Sequence, residues 1–88
     1  MCMPRISYFH GISIYMYFDD HLPPHFHATY GGQEASFAIM TLETLKGRLP
    51  KRARSLVLDW ADRHRTELLA NWERARESQP LDAIEPLS

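Results

Sequence analysis

Three of the chain's five histidines, His21, His25 and His27, fall inside the stretch DDHLPPHFHATYGG, Asp19 to Gly32, beside two aspartates and a Pro-Pro pair. Imidazole is the side chain best suited to trading a proton near neutral pH, and it is also the commonest ligand of transition metals. If the segment is a strand, His25 and His27 point to the same face. There they can work as general acid and base, or chelate one divalent ion. In the ligating reading His21 and either Asp19 or Asp20 complete the set, because a catalytic centre needs only three protein ligands and an open position; zinc suits such a set best. A third use is structural, with the rings hydrogen-bonded in a packed corner. The spacing leaves all three open, and the prolines fix the angle between loop and strand in each.

A second group of residues can hold an anion. Five of the ten Lys and Arg residues lie in KGRLPKRAR, Lys46 to Arg54, with no acid among them. Lys51, Arg52 and Arg54 follow Pro50, at the start of a predicted helix, where cations oppose the helix dipole. A bound phosphate would relieve that opposition, held by these side chains and the free N–H groups of the first turn. Tyr8, Tyr15, Tyr17 and Tyr30 offer rings on which single-stranded bases can stack. The single cysteine, Cys2, has no evident base beside it, and no phosphate-binding glycine loop or zinc-finger spacing is present.

The elements that must position these groups follow from periodicity. ISYFHGISIYMYF, Ile6 to Phe18, is β-branched and aromatic; Ile12, Ile14, Met16 and Phe18 alternate with polar positions, and Gly11 marks a turn or bulge. HFHATY reads as a strand, Gly31–Gly32 as a two-residue hairpin turn, and EASFAI as the returning strand with Phe37 and Ile39 inward. The segment Thr44–Leu49 reads as a short hairpin about Gly47 or as loop. From Lys51 the 27 residues up to Glu77 hold no Gly or Pro. Ala53, Val57, Trp60, Ala61, His64, Leu68 and Ala75 make one helical stripe, with Leu56 and Trp72 at its margins. Leu58 and Leu69 fall off that stripe, which predicts a bend near Arg63–Thr66 or cover from a partner. His64, mid-stripe, is expected to face the sheet with its ring bonded to backbone or a carboxylate. Tyr30, Trp60, His64 and Trp72 are read as core or supporting residues. Leu81, Ile84 and Leu87 of the Pro-punctuated tail are expected to lie against the domain.

The expected fold is α+β: a small antiparallel meander of three to five strands, covered by one long or two shorter C-terminal helices. It is one domain, residues 1–88, with the sheet over about 5–49, the helical part over 51–77 and an extended tail over 78–88. Hydrophobic residues at 44% and charged ones at 24% are ordinary globular values. A net charge of −1 argues against wholesale coating of nucleic acid, although nine of the ten cationic side chains follow position 45. No run approaches the ~18 apolar residues of a membrane span, and the lone cysteine fits a reducing compartment. A cytoplasmic protein without membrane contact is expected.

MYFDDHLPPHFHATYGG, LVLDWADRHRTELLANWERA and IEPL together resemble a family of short bacterial proteins classed as a domain of unknown function. Its hallmark is acidic-His-x-Pro-Pro-His-Phe-His-Ala-x-Tyr-Gly followed by a Trp-containing helix, and the resemblance runs from about Pro4 to Leu87. His21, Pro23, Pro24, His25, His27, Tyr30 and Gly31 match the hallmark; Trp60, His64, Glu67, Asn71 and Trp72 match the helix block. The resemblance implies a toxin-like member of a two-gene toxin–antitoxin type module, with a small antitoxin-like protein as partner. Joined to the residues above, it gives an RNA-acting protein in which His25 and His27 move protons while Lys51, Arg52 and Arg54 hold phosphate. Two other classes stay open. One is a partner-binding or regulatory module, including a homodimer, to which Leu58, Leu69 and the tail would offer apolar surface. The other is a metal-binding domain with a structural ion.

Overall fold

The structure, a computed structural model, describes residues 5–17 and 21–88. Five strands follow one another as an antiparallel meander: β1 (Arg5–Phe9), β2 (Ile12–Tyr15), β3 (His25–Tyr30), β4 (Gln33–Ala38) and β5 (Thr44–Gly47). Two helices complete the chain, α1 (Lys51–Arg63) and α2 (Arg65–Arg76). This is the expected α+β architecture, in its five-strand, two-helix form.

Alternation builds the core. Ile12, Ile14 and Met16 from the second strand and its continuation, Phe26 and Ala28 from β3, and Ala35, Phe37 and Ile39 on and after β4 are all buried on one face. Phe18, expected to extend that series, lies outside the described residues. At the first turn His10 and Gly11 both take positive φ, of 50° and 78°. The next hairpin closes through Gly31 and Gly32, also at positive φ, with Tyr30 paired to Gln33. That geometry is the one a two-residue turn demands.

Thr44–Gly47 corrects the expectation of a hairpin or loop. It is a fifth, exposed edge strand that pairs with β4 through Ala35–Gly47, Ser36–Lys46 and Phe37–Thr44. Its short length and weak alternation hide it in the sequence, because an edge strand with no buried residue carries no apolar period.

The helical stretch breaks at His64, where the expected bend falls. Ala53, Val57, Trp60 and Ala61 of α1 are buried, with the Trp60 ring 5.3 Å from Phe9 and 6.0 Å from Phe26. After the break, Leu68, Asn71, Trp72 and Ala75 of α2 are buried. Leu58 and Leu69 pack against the same core. The break turns both toward the core, where each is partly buried.

The tail is strapped to the domain. Ile84 is buried, and Leu81 and Leu87 pack on the core as expected. The Ile84 N–H donates to the Ile6 carbonyl (2.8 Å) and the Ser7 hydroxyl donates to the Ile84 carbonyl (2.9 Å). The Trp60 indole N–H donates to the Glu85 carbonyl at 2.9 Å. Asn71 binds the Asp82 backbone twice, donating to its carbonyl and accepting from its N–H. One register shift in β1 lets Ile6 and Ser7 both turn inward to meet this strap.

Candidate functional site

The histidines converge as the spacing predicts. The His25 and His27 rings, two residues apart on β3, stand edge to face with centroids 5.0 Å apart. His21 approaches His25 from the preceding loop at 5.4 Å, and the Tyr17 ring lies 4.3 Å from His27. On its other side His25 meets the Trp72 indole of α2 at 5.3 Å. The result is a run of aromatic rings from Tyr17 through His27 and His25 to Trp72.

The two central imidazoles differ in kind. His25 is only 4% exposed, and its Nδ1 lies 2.7 Å from the Pro23 carbonyl. A carbonyl oxygen only accepts, so Nδ1 carries a proton and donates this bond. His27 is half-buried and opens to the surface, with Nδ1 3.5 Å from Glu34 Oε2 across the β3–β4 pair. It lines a cavity of about 350 Å³ together with Glu34, Ala35, Ser36, Lys46 and Gly47. Register explains the gathering: His27 pairs with Ser36, Ser36 pairs with Lys46, and Tyr15 pairs with His27 on the other side. Directly opposed residues share a face, so imidazole, hydroxyl and amine form one cross-strand row.

The anion-binding set divides. Lys51 and Arg54 line a second cavity, of about 420 Å³, with Thr44, Arg48 and Phe37. Gly47, at the end of β5, lines both cavities. Arg52 is elsewhere. It lines a third cavity with His10, Tyr30 and Leu56, which separates it from Lys51 and Arg54. Tyr30 belongs to that place too, contrary to its expected use beside Tyr15 and Tyr17. At the start of α1, Pro50 makes no side-chain cap and no acid lies in the first turn.

Of the residues expected to complete a metal set, Asp19 and Asp20 lie outside the described residues. Among the described residues, no three His, Cys, Asp or Glu side chains gather as ligands for one ion. The Nδ1–H of His25 on a backbone carbonyl is the support a ligating imidazole commonly has, and it equally suits a purely structural ring. His64 serves a separate place: its ring packs 5.6 Å from Trp60 and its Nδ1 donates to the Glu67 carboxylate. That bond is of the kind expected for it. Glu67 is thus committed to His64, whereas Asp59, Asp62 and Glu73 pair with Arg63, Arg65 and Arg76.

Sequence reasoning misses Glu34, Ser36, Lys46 and Arg48 as site residues. Lys46 and Arg48 belong to the basic segment, but only the β4–β5 pairing brings Lys46 beside His27.

Among the described residues no helix is long and apolar enough to cross a membrane. No curated protein and no solved structure matches the chain. A family model described as a domain of unknown function, DUF4160, matches residues 11–73, which takes in the turn at Gly11, the histidine strand and both helices up to Glu73, and the chain belongs to that family.

Proposed function

We propose that the protein is a toxin-like member of a two-gene module and acts on RNA, with His27 as its proton-transfer group. One observation carries this reading: His27 lines the same cavity as Lys46, and Gly47 in its wall also lines the cavity of Arg48, Lys51 and Arg54. A proton carrier thus stands beside one cation, with three more around a cavity that shares a wall residue with its own, and a phosphate backbone needs such cations. Cleavage here is a transesterification in which the ribose 2′-oxygen attacks phosphorus and the bond to the 5′-oxygen breaks. His27 removes the 2′-proton, Lys46 offsets charge on the phosphate, and water protonates the departing oxygen. His25, buried and anchored on Pro23, is a positioning residue that holds the His27 ring in place. Arg52, in the third cavity, has no part in this set.

The exposed side chains of Leu22 and Met40 favour a partner for the same protein. Their loops are joined by the Ile39 N–H bond to the Pro24 carbonyl, next to the histidine strand. A small antitoxin-like protein seated there would cover the approach to His27.

The test is induction of wild type and of His27→Ala in bacteria lacking the neighbouring gene, following growth and total RNA integrity. Wild type should arrest growth and fragment RNA, and the variant should cleave ~100- to 10,000-fold more slowly while staying folded. Normal growth and intact RNA under wild-type induction would discard the reading.

A further inference from the structure

The cavity beside His27 contains a carboxylate as well as a cation. A site for phosphate alone would gain nothing from Glu34, whose charge repels the ligand. Glu34 Oε2 faces His27 Nδ1 at 3.5 Å, and Oε1 has no partner among the described residues. Ser36 is 6% exposed, and its hydroxyl makes no hydrogen bond among the described residues while lining the cavity. From the cavity wall, that hydroxyl can bond water or a ligand. Lys46, on the neighbouring strand, brings a mobile ammonium to the same row. A hydroxyl without a protein partner at a cavity wall is available to a ligand that can displace its water. The volume, about 350 Å³, lies at the small end of ligand sites.

We infer that this cavity is a ribose-phosphate subsite: Ser36 and Lys46 hold one phosphate, and the free oxygen of Glu34 accepts a hydrogen bond from a ribose hydroxyl. The inference rests on the RNA reading and sharpens it, because a 2′-hydroxyl donor is what separates RNA from DNA at a given site. Ligands that combine an anion with a neighbouring hydroxyl fit the mixed charge of the wall. Deoxyribonucleotides supply the anion and lack the donor. A free sugar phosphate would carry the same chemistry without the flanking phosphates that Arg48, Lys51 and Arg54 await, so the natural ligand is a nucleotide within a strand.

The experiment is NMR titration of the isotope-labelled full chain with a short single-stranded oligoribonucleotide, its deoxy counterpart and ribose 5-phosphate. The ribo strand should bind about tenfold tighter than the deoxy strand, the worth of one hydrogen bond to a charged acceptor. Glu34→Ala should abolish that ratio while tightening deoxy binding, since it removes a charge that repels phosphate, whereas Lys46→Ala should weaken both strands alike and keep the ratio. Glu34 has an exposed side chain, so its variant keeps the fold. Equal binding of the two strands by wild type overturns the inference, and RNA cleavage in the same preparation would leave the RNA reading standing. Failure of both strands to bind overturns the two together. Tighter binding of ribose 5-phosphate than of the ribo strand also overturns the inference, in favour of a free sugar phosphate.

Discussion

Trp60 and Trp72 are both buried, yet their indole N–H groups have opposite fates. Trp60 donates to the Glu85 carbonyl, whereas Trp72 Nε1 is buried with no hydrogen-bond partner among the described residues. Removing a satisfied donor strands its acceptor, while removing an unsatisfied one relieves a desolvation cost. Trp60→Phe should therefore lose about 1 kcal/mol more than Trp72→Phe in urea unfolding. Equal losses would mean that the Glu85 bond adds nothing in solution. The same accounting of partners separates the histidines, which residue type alone does not. HxH on a strand gives a shared face from the sequence. Which imidazole is the more deeply buried depends on the Pro23 carbonyl and on Trp72, contacts made by a loop and by a distant helix.

Among the elements, β5 marks the limit of periodicity. Its four residues are all exposed, so no alternation announces them, and only hydrogen bonding to β4 makes them a strand. The β3–β4 pair is the reverse case. A two-residue Gly31–Gly32 turn pairs Tyr30 with Gln33, and counting back from it sets His27 opposite Ser36, so that half of the candidate cavity is legible in the residues alone. Lys46 is not, since its register follows a bulge between Ser36 and Phe37. The helix break is legible from Leu58 and Leu69, whose burial one straight helix forbids. Gly47 holds β5 where it is. Its φ is 75°, and a Cβ there would stand 2.1 Å from the Glu34 carbonyl oxygen. Gly47→Ala should cost about 3 kcal/mol or more, from left-handed strain added to a backbone clash. Gly31→Ala, with open space around it, should cost only the strain, ~1–2 kcal/mol. Denaturant midpoints of the two variants check the difference. If they coincide, β5 does not pair with β4 as described.

For the molecule as a whole, the tail belongs to the fold. An 88-residue domain has a total stability on the order of 5–10 kcal/mol, and Ile84 fills a core position between β1 and the helices. Ile84→Ala should lower stability by about 3 kcal/mol, a large share of that total, and thermal unfolding would show it as a fall in midpoint. A midpoint unchanged from wild type would make the tail an ornament. The strap also joins distant parts of the chain: Ser7 bonds Ile84 and His10 bonds Ser88. Closing so long a loop is slow relative to forming the hairpins between β1 and β5. Synthesis runs from the first strand to the tail, so β1 emerges from the ribosome with its outer edge uncovered and stays so until Ile84 has been added. For that interval the nascent chain shows a bare strand edge to its neighbours, and the pace of translation, more than the pace of folding, fixes how long the exposure lasts.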